Sequence, residues 1–137
     1  MIRQATPDDL DRIIELGGQF LAASPYADLG YDRPAFGEFA IRMMEGPGAI
    51  FLSDEGFIGG LLNGLYFNPS IVMGVELFWW AKTEGKALRN VFEAWCADNG
   101  ASGMQSTGLA NEREATIRKV YERAGYRACE IGFIKRF

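Results

Sequence analysis

Residues 72–100 read VMGVELFWWAKTEGKALRNVFEAWCADNG, and the fold turns on how this stretch is read. Val72 to Ala81 is an apolar, aromatic-rich run with one carboxylate, Glu76, set inside it. β-Branched and aromatic side chains pack well on a pleated surface, so a buried strand is expected. Lys82-Thr83-Glu84-Gly85-Lys86-Ala87 breaks the run. From there Leu88, Val91, Phe92, Trp95 and Cys96 recur at helical spacing as one apolar stripe, which Asn99-Gly100 is placed to end. A strand therefore feeds a short glycine-containing turn that opens a helix. The first N–H groups of such a helix have no partner within it and, with the positive end of the macrodipole, suit an anion. Gly85 and Ala87 keep the approach clear, and Lys82, Lys86 and Arg89 bring positive charge near. An ordinary strand-to-helix turn has much the same composition, so the residues alone leave both readings open.

Working outward, Ile2 to Ala5 reads as a short first strand. Thr6-Pro7-Asp8-Asp9 opens a helix whose buried stripe is Leu10, Ile13, Ile14, Gly17, Phe20 and Leu21. Ser24 to Asp32 is a loop with two tyrosines and two aspartates. A second helix runs from about Pro34 to Glu45, stopped by Gly46-Pro47-Gly48. Ala49 to Asp54 and Phe57 to Phe67 form a hairpin about Glu55-Gly56, and Gly59, Gly60 and Gly64 mark a bulge or a close neighbour in its second strand. Asn68-Pro69-Ser70 is expected to turn the chain into the 72–81 strand. Beyond residue 100, Gly103 to Leu109 is expected as a polar strand. Asn111 is expected to cap a last helix with an inward face of Ile117, Val120, Tyr121 and Ala124, stopped by Gly125. Arg127 to Phe137 is expected as the final strand.

This order predicts an α+β fold: a mixed, mostly antiparallel central sheet with helices on both faces, in one domain spanning 1–137. Hydrophobic residues make up 48%, enough for a packed core. No apolar run is long enough for a bilayer and the first residues lack a signal-peptide core, so the expected location is cytoplasmic. A net charge of −4 disfavours nucleic acid as a partner, which calls for a basic face. There is no histidine, which removes imidazole bases, His-dependent triads and His-ligated zinc together. Cys96 and Cys129 lack metal-like spacing, and Cys96 lies on a helix stripe as a reduced core thiol. Carboxylates, tyrosines, hydroxyls, lysines or a co-substrate must carry any chemistry, and no metal is expected.

The element order, with its turn after the fourth strand, resembles the GNAT superfamily of acyl-CoA-dependent N-acyltransferases over nearly the whole chain. The family's turn carries Arg or Gln, two residues, Gly, one residue, then Gly or Ala; Lys82-Thr83-Glu84-Gly85-Lys86-Ala87 follows it with Lys in first place. A second signature, a tyrosine on the last helix followed by a Gly-aromatic pair, is matched by Tyr121 and Gly125-Tyr126. Two features depart from the pattern. The turn between Glu76 and Gly85 is short, and Glu84 puts negative charge beside a pyrophosphate site. The length and the Glu-Leu-Phe-Trp-Trp run are similar to short bacteriophage-encoded members.

The resemblance implies an N-acetyltransferase moving an acetyl group from acetyl-CoA to an amine on a small molecule or a protein. Glu76 is then the candidate base, and Tyr121 the candidate acid for the departing sulfur. Phe78, Trp79 and Trp80 would offer backbone to the pantetheine arm, and Lys82, Gly85, Lys86 and Ala87 would hold the pyrophosphate, with Asn111 capping the last helix nearby. Tyr26, Asp28, Tyr31 and Thr107 are candidates for a cationic acceptor. A homodimer is compatible with this reading. The competing reading is a degenerate member that binds CoA or a protein partner without turnover.

Overall fold

The computed structural model describes all 137 residues, and the chain separates into two compact units, Met1–Thr107 and Gly108–Phe137. The first unit holds β1 (Arg3–Gln4), α1 (Leu10–Ala22), α2 (Arg33–Glu45), β2 (Gly48–Ser53), β3 (Gly56–Leu65), β4 (Asn68–Ala81), α3 (Gly85–Asp98) and β5 (Gly103–Gln105). The strands form one sheet in sequence order, antiparallel from β1 to β4 and parallel between β4 and β5. No helix is long and apolar enough to cross a membrane.

Alternation along β2, which is buried throughout, divides the core between the two faces of the sheet. Ile50 and Leu52 join Ile13, Leu16, Ala40, Met43, Phe57 and Phe78 on the face covered by α1 and α2. Ala49 and Phe51 join Ile58, Leu88, Phe92 and Cys96 under α3. Phe57 and Phe78 stack with ring centroids 4.6 Å apart, and truncating a buried ring of this kind costs about 3–5 kcal/mol.

Local signals explain most boundaries. Thr6 and Asp9 bracket a 3-10 turn over Pro7–Asp9, with the Thr6 N–H donating to Asp9 Oδ2 at 2.9 Å. Asp32 caps α2 by accepting from the Ala35 N–H at 3.0 Å. The turn between β3 and β4 differs from expectation. It lies at Tyr66-Phe67, and Asn68-Pro69-Ser70 belongs to β4, which is longer than the apolar run. Proline is tolerated there because it sits where β4 has only one neighbouring strand.

In the second unit, α4 (Glu114–Arg123) ends where Gly125 adopts φ 91°, as anticipated. Asn111 is not its N-cap. Its Oδ1 accepts from the Arg113 N–H at 2.9 Å, an Asx-type turn ahead of the helix. Arg127 to Phe137 does not form a strand. Extended backbone becomes a strand only when a neighbour completes its hydrogen-bond ladder. For the same reason the strand expected over Gly103 to Leu109 stops at Gln105.

Candidate active site

β4 carries a bulge at the residue next to its carboxylate. Pairing with β3 passes from Gly59↔Phe78 to Gly60↔Glu76, leaving Leu77 without a partner. The bulge resets the side-chain phase. Gly74 meets Cys96 and Met104 on the α3 face, whereas Phe78 and Trp80 pack with the α1/α2 cluster. Gly60 is required at this crossing, since a Cβ there would collide with the Val75 carbonyl oxygen.

On its other edge β4 pairs with β5 only at Met73, Gly74 and Val75. From Glu76 to Ala81 no strand lies along that edge, so the two strands part where the carboxylate sits. The chain leaving β5 stays close enough for the Thr107 N–H to donate to Glu76 Oε2 at 3.3 Å. Glu76 is 6% exposed. Burial pushes its carboxyl up to about 7 from 4.5, and the Thr107 hydrogen bond only partly opposes this. A carboxyl with that value changes protonation near neutral pH, as a general base requires.

The turn at 82–87 follows at the end of β4. Lys82 is tied back by its N–H to the Glu55 carbonyl at 3.0 Å. Glu84 is the only non-glycine residue with positive φ (60°), a left-handed conformation that strains a residue bearing a Cβ. The first helical bond of α3 runs from the Leu88 N–H to the Glu84 carbonyl, so the N–H groups of Gly85, Lys86 and Ala87 precede it without helical acceptors. Lys82, Lys86 and Ala87 are exposed. Arg89 does not supply charge to this turn as expected. It is buried, with Nε 3.3 Å from Glu93 Oε1 and Nη2 donating to Asn90 Oδ1.

The three aromatic residues of β4 use their side chains for packing. Phe78 is core, Trp80 Nε1 donates to Gln19 Oε1 at 3.2 Å, and Trp79 packs on the α3 side beside Gly85. Their backbone is paired with β3 on one edge, and β5 does not extend along the other. In the 24–32 loop, buried Ser24 donates to the Leu21 carbonyl and accepts from the Tyr26 N–H. Tyr26 is left 45% exposed, next to exposed Asp28. Tyr31 is a correction to the acceptor set. Its hydroxyl donates to the Ile14 carbonyl at 2.6 Å and its ring packs over Gly17 and Gly18, which gives it a packing role. Tyr121 belongs to the second unit, half-buried on α4, its ring 5.0 Å from that of Tyr126. The partner of Glu76, the Thr107 amide, was not anticipated from the sequence. The glycine pair at 59–60 was the one visible sign of the bulge that places that carboxylate.

Solved structures of this architecture cover the whole chain. An aminoglycoside acetyltransferase from an uncultured soil metagenomic sample superposes with a TM-score of 0.74 at 13% identity, over 100% of this chain and 97% of its own. A ribosomal-protein-alanine N-acetyltransferase from Brucella melitensis biovar Abortus 2308 gives 0.70 at 15% identity, over 100% and 99%. AAC(6')-Iy, in complex with a bisubstrate analogue of CoA and acetylneamine, gives 0.72 at 20% identity, over 100% and 97%. This chain has the GNAT fold. No protein-family model and no curated protein matches the sequence. Within the GNAT fold, the bulged strand, its divergence from the next strand and the helix-opening turn come from residues 56–107 of this chain.

Proposed function

We propose that the protein is an acetyl-CoA-dependent N-acetyltransferase, a single acyltransferase domain working in the cytoplasm on a small amine or a protein amino group. The observation that carries this reading is Glu76: a buried carboxyl that titrates near 7, placed where β4 and β5 part. Structures of the same fold with CoA or a CoA analogue bound support the choice of donor.

An amine arrives as an ammonium and attacks only after losing its proton. Glu76 removes it, directly or through a water, while the Thr107 N–H steadies the carboxylate. The β4 edge past Val75, beyond the pairing with β5, holds the pantetheine arm as a sheet edge holds an extended peptide. The N–H groups of Gly85, Lys86 and Ala87, with Lys82 and Lys86, hold the pyrophosphate. The donor supplies the activated acyl group; Tyr121 returns a proton to the departing sulfur, whose thiol pKa is roughly 8.5. Exposed Tyr26 and Asp28 receive a cationic acceptor.

Calorimetry with acetyl-CoA, followed by thiol release with neamine and an alanyl peptide as acceptors, tests the reading. Saturable binding and acceptor-dependent release are expected. Binding without release on any amine favours the second reading, a CoA binder without turnover. Strained, acidic Glu84 in the anion turn and the diversion of Arg89 away from it favour that alternative.

A further inference from the structure

Within the Met1–Thr107 unit the β3–β4 hairpin runs on past the rest of its sheet as a two-stranded arm. β2 begins at Gly48 opposite Leu61, and the Leu62 N–H donates to the Pro47 carbonyl at 2.9 Å. On the other side β5 reaches no further than Met73, and the Ser102 N–H donates to the Val72 carbonyl at 2.7 Å. Residues 63–71 make up the arm. Its turn carries Tyr66 and Phe67, 94% and 71% exposed, with their rings edge to face at 5.1 Å. Ile71 is also open to solvent. Between Gly64↔Val72 and Leu65↔Asn68 the ladder skips Pro69, Ser70 and Ile71, and the Pro69 carbonyl lies where a Cβ on Gly64 would have to go. Such a bulge blunts an edge against strand addition, so the arm offers a partner side chains rather than backbone. No Lys or Arg occurs between Gly56 and Ala81, so an anionic lipid surface or a nucleic acid finds no counter-charge here.

The same unit holds a cavity of about 580 Å³ between α1 and α2, walled by Leu10, Ile14, Gly37 and Ile41, with Glu38 and Arg42 beside them. We propose that the Tyr66–Phe67 tip of one copy of this chain seats in the α1/α2 groove of a second copy, and the reverse, closing a two-fold dimer. The groove supplies what the tip lacks. It has apolar walls for two rings, and Glu38 and Arg42 are at hand for the Tyr66 hydroxyl, which needs a polar partner once covered. Its volume lies in the range that encloses a small aromatic ligand. A covered aromatic side chain buries roughly 150–250 Å². Two rings per tip and a matching area of groove, counted for both docks, give about 1,200–2,000 Å², the size of a stable interface. Each copy presents the same tip and the same groove, so the reciprocal contact closes at two chains.

Light scattering on the full chain should give twice the 15.2 kDa mass. The double variant Tyr66→Ser/Phe67→Ser and, separately, Ile41→Lys should each halve it while circular dichroism stays unchanged. Cross-linking fixes the geometry independently of these variants. A Phe67→Cys chain is mixed with an Ile41→Cys chain, both also carrying Cys129→Ser, and oxidised with diamide. A disulfide-linked pair should form that neither chain forms alone, since Cys96 is buried. A single-chain mass for the unaltered protein overturns the proposal. So does a dimer indifferent to the tip variant. Linking of Phe67→Cys chains to one another would make the contact tip to tip, and a mass that keeps rising with concentration would make it an open chain; either result contradicts the seating in a closed pair. Binding of single chains to phosphatidylcholine vesicles, lost in Tyr66→Ser/Phe67→Ser, would hand the tip to a membrane instead.

Discussion

The Thr107 N–H and Glu76 Oε2 lie 3.3 Å apart, a main-chain donor on the segment leaving β5 aimed at the one carboxylate inside β4. This bond pulls the Glu76 carboxyl down while burial pushes it up, and burial wins. Because the donor is backbone, Thr107→Ala should leave the ascending limb of the pH–rate curve in place. Thr107→Pro removes the N–H and should move that limb to higher pH. A limb shifted by the alanine variant and indifferent to proline would transfer the role from the amide to the side chain.

Stability should carry the same signature. Between about pH 4.5 and 7 the native chain holds a proton on Glu76 that the unfolded chain has released. Its contribution is therefore complete below 4.5 and falls as pH rises through 7, by about 3 kcal/mol at most. Denaturant midpoints of Glu76→Gln should lose this slope. Asp9 works in the opposite sense. The hydrogen bond from Arg3 holds its carboxyl down at about 2, so its contribution is present above the usual carboxylate range and is lost as pH falls through 2.

Gly85 faces only ordinary contact distances, the nearest atom to an added Cβ being Trp79 Cζ2 at 3.5 Å. Gly85→Glu should thus fold normally, yet abolish acetyl-CoA binding in calorimetry by placing bulk and negative charge where phosphate must approach backbone. Unchanged affinity would put the ligand elsewhere. Glu84→Gly relieves the left-handed strain and removes a charge, and should tighten binding several-fold.

Gly60 has no such tolerance. Gly60→Ala forces the added methyl against the Val75 carbonyl and should cost roughly 1–3 kcal/mol in urea unfolding. A midpoint equal to that of the unaltered chain would show that the bulge relaxes freely.

How much of this was legible depends on whether the signal is local. The 72–100 strand, turn and helix are local: an apolar run, a glycine break and a helical stripe fix them without reference to other residues. The hairpin read over 49–67 and the helix opening at Thr6 are legible for the same reason, whereas the Asp32 cap of α2 emerged only from the structure. Glu76 stood out as a charge in an apolar run, and burial bears out its raised pKa. The Thr107 amide was invisible because a backbone donor leaves no mark on composition. Tyr31 reads as a surface loop tyrosine until the glycines of α1 are seen to admit its ring. Residues 127–137 carry a strand pattern, but a strand is a property of two segments, and the second is not encoded in the first.

The central claim, that Glu76 is the proton acceptor, is tested most directly by kcat/KM against pH for two acceptors of different amine pKa, in the unaltered chain and in Glu76→Gln. The account predicts an ascending limb near 7 that stays put when the acceptor changes. It also predicts that the variant loses this limb along with roughly ten- to a thousand-fold of the rate. A limb that follows the acceptor's own pKa and survives in Glu76→Gln would contradict it.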